Sequence, residues 1–198
     1  MAIIFNSEYR PASVEDECIS KAAGQMACEM KDRPENVNIL EAKTSDFQVI
    51  ADIYNEYILL GNATMQDSLY DAERIQSWVD DFNDRERLYI LKKGESVIGW
   101  GIIKKYSERE GYRFACETAI YLTSSERRKG YGSLMKQFLI AQCKSLNYRH
   151  LVAKIFATNT ASIEYNLKLG YSIVGRQKSI GFKNGQWVDI VIMQYLVE

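Results

Sequence analysis

Residues 119–133, AIYLTSSERRKGYGS, form the stretch of sequence that says most about the fold. An apolar strand pattern leads into a basic turn with two glycines, and a helical pattern begins there. The first N–H groups of a helix have no partner within the helix, so they attract anions. Glycines let a phosphate approach the backbone closely. We therefore expect an anion site at this turn, with added positive charge from Arg127, Arg128 and Lys129.

The turn differs from two common phosphate-binding motifs. It has no Lys-Ser or Lys-Thr pair at the Walker spacing, and Met135 stands where a dinucleotide-binding motif needs its third glycine. A basic triplet before a helix also occurs in ordinary solvated loops. The turn alone therefore leaves two interpretations open, an anion site and a solvated loop.

The composition argues against several classes of protein. A formal net charge of −1 gives no reason to expect nucleic acid or an anionic membrane as the partner. The four cysteines form no C-x-x-C pair and the chain has one His, which argues against a zinc site and a disulfide framework. The sequence has no signal-peptide pattern and no run of about 18 apolar residues. We expect a cytoplasmic protein that holds no metal.

Hydrophobic periodicity divides the chain into two parts. Residues 1–36 read as an N-terminal extension with a weak helical stripe from Ile19 to Met30, and residues 37–198 read as the main domain. In the main domain the order of elements is β-α-α-β-β-β-α-β-α-β-β. Hairpins and crossover helices occur together, which predicts an α/β (α+β) domain with a mixed central sheet flanked by helices.

Capping and turn signals, together with periodicity, predict where the helices and strands begin and end. Ser45 and Gln48 have the spacing of a capping box before the first helix. Asn184-Gly185 indicates a hairpin turn between the last two strands. The predicted strands are 37–42, 88–91, 97–103, 116–122, 151–156, 173–179 and 187–196. The first predicted helix carries apolar residues from Phe47 to Ile58 on one face. The other predicted helices span 71–83, 130–146 and 159–169.

Several separated motifs resemble one known superfamily. The R-x-x-G-x-G pattern at 127–132, the segments NTASI at 159–163 and KLGY at 168–171, and the C-terminal segment from 181 to 194 occur in the order typical of the GNAT acetyltransferases. The similarity runs from Ile39 to the C-terminus. It is strongest to the phosphinothricin and methionine sulfoximine N-acetyltransferases, a branch that includes L-amino-acid N-acyltransferases.

This resemblance implies the GNAT fold, with acetyl-CoA as the acetyl donor. In the superfamily the basic turn binds the CoA pyrophosphate, the preceding strand aligns the pantetheine arm, and a later helix offers further hydrogen bonds. The corresponding residues here are Ile120, Tyr121, Leu122, Arg127, Arg128, Lys129, Gly130, Tyr131, Gly132, Ser133, Asn159, Ser162 and Asn166.

Amine acetylation also needs a base, because an ammonium must lose a proton before its nitrogen can attack the thioester. The resemblance gives that role to Glu117, although by position alone this carboxylate could equally face solvent or pair with Arg113. The resemblance also implies that Arg113 holds a substrate carboxylate, with Arg109 as a second candidate, because a guanidinium binds carboxylates bidentately. Thr64 and Thr118 complete the predicted substrate site.

One position departs from the superfamily. Many members have a Tyr, and some of this branch a His, four residues before the glycine of KLGY, where it protonates the CoA thiolate. This chain has Asn166 there, which is no general acid, and the neighbouring Tyr165 should point about 100° away around the helix. The donor of that proton stays unassigned. His150, Cys116 and Cys143 are interpreted as structural residues.

The function expected is direct transfer of acetyl from acetyl-CoA to the amine of a small amino acid or amino-acid analogue. The resemblance also implies a homodimer. Two alternatives stay open: acetylation of a polyamine, an aminoglycoside or a protein N-terminus, and a non-catalytic acyl-CoA sensor. A polyamine or aminoglycoside site should be rich in Asp and Glu around Glu117, which separates those substrates from an amino acid.

Overall fold

The computed structural model describes residues 36–197. The predicted extension over residues 1–36, with its helical stripe, lies outside the described residues except for Asn36. Within the described range, no helix combines the length and the hydropathy needed to cross a bilayer.

The order of elements predicted for the main domain is confirmed. The strands are β1 (Val37–Glu41), β2 (Arg87–Lys93), β3 (Ser96–Lys105), β4 (Ala115–Leu122), β5 (His150–Phe156), β6 (Ser172–Lys183) and β7 (Gln186–Leu196). The helices are α1 (Phe47–Leu60), α2 (Ala72–Asp80), α3 (Tyr131–Ser145) and α4 (Thr160–Lys168).

The seven strands within the described residues form one mixed sheet in the order β1-β2-β3-β4-β5-β7-β6. Every neighbouring pair is antiparallel except β4 and β5, which run parallel. These two strands pair only over Ala115–Glu117, and beyond Glu117 they separate. The sheet is therefore split at its centre, and the split opens toward the basic turn at the end of β4.

A hydrophobic core lies on each face of the sheet. On one face α1 and α2 cover a cluster that includes Ile50, Tyr54 and Trp100. On the other face α3 covers a cluster that includes Met135 and Leu139. Because side chains alternate along a strand, β4 contributes Ala119 and Tyr121 to the first cluster and Cys116, Ile120 and Leu122 to the second.

The start of the first helix differs from the prediction. No hydrogen bond links Ser45 and Gln48 within the described residues, so the predicted capping box is wrong. A short 3-10 turn over Thr44–Asp46 precedes α1, and the Asp46 carboxylate accepts from the Lys43 N–H at 2.8 Å. Gln48 instead donates to Asp52 at 2.9 Å, one helical turn further on.

The two predicted turn glycines are confirmed by their backbone geometry. Gly170 ends α4 at φ +89°, and Asn184-Gly185 joins β6 to β7 with both residues at positive φ. Lys183, which is buried beside that turn, donates to the Gln66 carbonyl and pairs with Asp67 at 3.1 Å. This lysine fixes the loop between α1 and α2 against the hairpin.

Candidate active site

The gap between β4 and β5 exposes a row of backbone groups. The Thr123 N–H bonds to the Ile98 carbonyl on the β3 side at 2.9 Å. Leu122 therefore turns its peptide groups toward the gap, where the Tyr57 hydroxyl accepts from its N–H at 3.1 Å and donates to its C=O at 2.7 Å. Peptide groups alternate along a strand, so Ile120 also presents its N–H and C=O to the gap. An amide-containing chain could bond to Ile120 there.

The basic turn ends in a helix N-terminus without a side-chain cap. Gly130 is the N-cap of α3, at φ +85°, and no other part of residues 36–197 lies within 4 Å of the position that a Cβ would take there. Arg128 also has positive φ, at +61°, which is uncommon for a residue with a Cβ. The N–H groups of Tyr131, Gly132 and Ser133 lie in the first turn of α3, where no carbonyl of the helix can accept them. The turn therefore has the geometry of an anion site.

The three basic side chains of the turn have different surroundings. Lys129 pairs with Glu126 at 3.3 Å, and Glu126 also pairs with Lys93 at 3.4 Å. Arg127 stacks on the Tyr57 ring at 4.5 Å, and its Nε and one terminal nitrogen are buried without a partner among the described residues. Buried donors are normally paired. An anionic ligand at this turn would satisfy them, so the residues fit a phosphate group.

Glu117 lies at the point where β4 and β5 separate. Its side chain projects from the same side of β4 as Ala119 and Tyr121, on the face covered by α1 and α2. It does not pair with Arg113: the Lys154 ammonium of β5 donates to its Oε1. Both side chains remain partly exposed. The site therefore holds an accessible carboxylate and an accessible ammonium side by side.

The structure does not bring the four predicted substrate-binding residues together around Glu117. Arg113 donates to the Glu110 carbonyl at 3.2 Å and stacks on Phe114, and Arg109 precedes the same 3-10 turn. The buried Thr64 hydroxyl lies 2.6 Å from the Tyr54 hydroxyl. Thr118 is buried on the opposite face of the sheet from Glu117.

A cavity of about 660 Å³ adjoins the Glu117–Lys154 pair. It lies between the loop after β3 and the surface of β5, β6 and β7. Among the described residues that line it, none is Asp or Glu. The aromatic and basic part of the lining consists of Tyr106, Tyr112, Phe114, Arg149, His150 and Lys154.

The Acetyltransferase (GNAT) domain model matches residues 39–192, most of the chain and nearly all of the described range. This chain belongs to the GNAT acetyltransferase family. Its GNAT fold, with the mixed sheet flanked by helices, is the fold predicted from the sequence.

The relatives of this GNAT chain include acetyltransferases of L-methionine sulfoximine and of phosphinothricin. The L-methionine sulfoximine/L-methionine sulfone acetyltransferase of Pseudomonas aeruginosa is 29% identical over 162 residues, which are 80% of this chain and 94% of that protein. The phosphinothricin N-acetyltransferase of Alcaligenes faecalis is 28% identical over 77% of this chain and 78% of its own. The structure of a phosphinothricin acetyltransferase from Sinorhizobium meliloti in complex with AcCoA has a TM-score of 0.77 and 27% identity, over 82% of this chain and 89% of that one.

The residues on α4 that the resemblance assigned to cofactor binding make hydrogen bonds within the helix itself. Asn159 caps α4 by accepting from the Ser162 N–H at 3.2 Å, and the buried Asn166 amide donates back to the Ser162 carbonyl at 2.8 Å. The Tyr165 hydroxyl donates to the Gly132 carbonyl at 2.6 Å, so it holds α4 against the start of α3. Tyr165 thus lies close to the basic turn but is engaged in a structural contact.

Two features of the site were not found from the sequence. Lys154 is a cation within the apolar pattern of β5, and that contrast was the available signal. Tyr57 lies on the predicted apolar face of α1, but its bonds to the Leu122 peptide groups were not predicted. Its bonds to Leu122 join residues 65 positions apart, and no local pattern predicts such a pairing.

Among residues 36–197, no three His, Cys, Asp or Glu side chains are grouped closely enough to hold a metal ion.

Proposed function

We propose that this GNAT protein transfers the acetyl group of acetyl-CoA to the amine of a small amino acid or amino-acid analogue. The observation that carries the proposal is the arrangement along β4. Glu117 lies where β4 leaves β5, the Ile120 peptide groups line the gap, and the anion site follows at the far end. Glu117 and Leu122 are five residues apart, roughly 16 Å along an extended strand. One strand can therefore hold a long thioester arm from its phosphates to its acetyl group.

In this proposal each part of the site has one task. Glu117 removes a proton from the substrate ammonium, directly or through water, and the nitrogen then attacks the thioester carbonyl. The backbone of Ile120 to Leu122 lines the pantetheine arm, with the gap-facing peptide groups of Ile120 as its hydrogen-bond partners. The N–H groups of Tyr131 to Ser133, with Arg127, hold the pyrophosphate, while Arg128 and Lys129 add positive charge nearby.

The Glu117–Lys154 pair supports a zwitterionic substrate. An α-amino acid carries an ammonium and a carboxylate a few ångströms apart, and Glu117 and Lys154 offer the opposite charges in the same arrangement. Binding would replace one ion pair by two. The absence of Asp and Glu among the described residues lining the adjoining cavity speaks against a polyamine or an aminoglycoside. Arg113 and Arg109, on the loop at that cavity's edge, remain proposed second partners for a substrate carboxylate.

We infer that the protein is a cytoplasmic homodimer. The hairpin of β6 and β7, at the edge of the sheet, exposes Ile180, Phe182 and Trp187 to more than half of their surface. Exposed apolar clusters of this kind are typical of protein interfaces. Cys116 and Cys143 are free thiols 3.6 Å apart, which fits a reducing compartment.

The homodimer is tested by light scattering on the purified full chain. The expected mass is twice the 22.8 kDa of one chain. A mass of one chain at micromolar concentration would contradict the inference.

The acetyltransferase activity is tested by measuring release of CoA from acetyl-CoA with a panel of amines. The panel contains methionine sulfoximine, phosphinothricin, proteinogenic amino acids, a polyamine, an aminoglycoside and a short peptide. We expect turnover with an amino acid or analogue, and a loss of about 10²–10⁴-fold in kcat/KM in the Glu117→Gln variant, because the base is removed.

The matched control is Glu95→Gln, which neutralises a fully exposed glutamate in the β2–β3 turn and should leave kcat/KM unchanged. Turnover only with the polyamine, the aminoglycoside or the peptide would move the activity to that substrate. Binding of acetyl-CoA with no turnover on any amine would favour the acyl-CoA sensor.

The role of Lys154 is tested by comparing an amino-acid substrate with the same amine lacking its carboxylate. In Lys154→Met, we expect kcat/KM for the amino acid to fall about 10–100-fold, as for loss of a charge-assisted hydrogen bond. The value for the decarboxylated amine should change little. Lys144→Met, an exposed lysine near the end of α3, is the control. An equal fall for both amines would show that Lys154 does not recognise the carboxylate.

A further inference from the structure

Lys136 is a lysine buried in the hydrophobic core. Only 3% of its surface is exposed, and its ammonium donates to the Thr118 hydroxyl at 2.8 Å. The same ammonium lies 4.5 Å from the centre of the Tyr171 ring. Among the described residues, no carboxylate pairs with it. Burying a charge without a counter-ion is costly, and an apolar side chain in this position would make the fold more stable. A buried lysine of this kind points to a functional role.

The position of Lys136 relates it to the split in the sheet. On one face of α3, Gly132, Lys136 and Cys143 follow one another at helical spacing. They approach Leu122, Thr118 and Cys116 of β4 in that order. Thr118 is the first residue of β4 beyond its pairing with β5. Glu117 therefore lies on one face of the sheet at the head of the gap, which is the point where β4 and β5 separate. The Thr118–Lys136 pair lies at the same point on the opposite face.

The groups packed around Lys136 are weakly acidic or neutral. They are Cys116 and Thr118 on β4, Cys143 on α3, and Tyr171 after α4. The Cys116 and Cys143 thiols lie 3.6 Å apart, and the hydrogen bond between them, followed by burial, raises the pKa of Cys116. Burial raises the pKa of Tyr171 as well. Burial lowers the pKa of Lys136 to about 8, which suits a group that gives up a proton near neutral pH.

Helix α4 offers no alternative acid at this place. Asn166 has no acidic proton, and its Oδ1 is buried without a partner among the described residues. The Tyr165 hydroxyl already donates to the Gly132 carbonyl, and burial raises its pKa. Ionisable groups thus lie on both faces at the head of the gap, with Glu117 and Lys154 on one face and Lys136 on the other.

We propose that Lys136, acting through the Thr118 hydroxyl, supplies the proton that the CoA sulfur takes up when the acetyl group leaves. The proposal rests on the proposed function. As the tetrahedral intermediate collapses, the C–S bond breaks and its electron pair goes to sulfur. The Thr118 hydroxyl proton passes to that sulfur, and an Nζ proton of Lys136 passes to the Thr118 oxygen. Lys136 is left neutral and regains a proton from solvent. Glu117 holds the proton that it took from the substrate ammonium, and the second proton that the nitrogen loses as the amide forms passes to water.

The first test needs only CoA and no turnover. The ultraviolet absorbance of the CoA thiolate is followed against pH in the complex with the full-length protein, with the desulfo-CoA complex subtracted to remove the absorbance of Cys116 and Cys143. An adjacent ammonium favours the thiolate, so the bound thiol should ionise at least about one pH unit lower in the wild type than in Lys136→Met. Identical titrations in the two proteins would overturn the proposal.

The second test separates kcat from KM. A proton donor must be protonated, so kcat of the wild type should fall as pH rises through about 8, the pKa of Lys136. In Lys136→Met, kcat should be about 10–100-fold lower at pH 7, at the low end of the range for general acids. The fall above pH 8 should vanish, while the KM for acetyl-CoA stays within about threefold. A retained alkaline fall would contradict the proposal.

Thr118 offers a matched pair of variants. Thr118→Ser keeps the hydroxyl and should retain kcat within about threefold, whereas Thr118→Val keeps the shape and should behave like Lys136→Met. Equal losses in Ser and Val variants would assign the effect to packing and overturn the relay. Desulfo-CoA affinity and the melting temperature confirm that each variant is folded, and Lys136→Met should melt at or above the wild-type temperature. If no amine is acetylated at all, the proposed function fails, and the thiolate titration still decides whether Lys136 acts on the sulfur.

Discussion

The separation of β4 from β5 beyond Glu117 is the constraint on which the site depends. Two parallel strands that stay paired use up their facing peptide groups, but here pairing stops after three residues of β4. The Ile120 peptide groups face the gap at the centre of the sheet, and those of Leu122 are bonded by Tyr57. Such groups are costly to bury without a partner. A ligand with its own amides, lying along β4, would replace the missing strand.

The split also gives the site two faces with different chemistry. On the face of α1 and α2, the partly exposed Glu117 and Lys154 meet at the cavity that opens toward solvent. On the face of α3 and α4, the buried Lys136 contacts Thr118 in the core. A substrate amine can therefore reach the head of the gap from the face of Glu117. The sulfur of a CoA bound in the gap would lie beside the face of Lys136. The strand backbone between Glu117 and Thr118 separates the group that accepts a proton from the group that donates one.

Local patterns were sufficient to predict the order of elements and the two turn glycines, because each depends on neighbouring residues, whereas the anion site stays a prediction. The capping box failed because Asp46, one position later than Ser45, caps the chain through a 3-10 turn that periodicity does not reveal. The Glu117–Lys154 pair and the Tyr57–Leu122 bonds join residues 37 and 65 positions apart, so they depend on sheet order and helix packing. Lys136 lies in a helix that was predicted from the sequence, and only the tertiary structure shows that its ammonium is buried.

The most direct test of this account is a crystal structure of the protein with acetyl-CoA. We predict that the pantetheine arm lies in the gap between β4 and β5, with hydrogen bonds to the peptide groups of Ile120. The pyrophosphate should contact the N–H groups of Tyr131 to Ser133, and the sulfur should lie at the level of Glu117 and Thr118. A structure in which β4 and β5 close along their length, with acetyl-CoA bound elsewhere on the surface, would contradict the account.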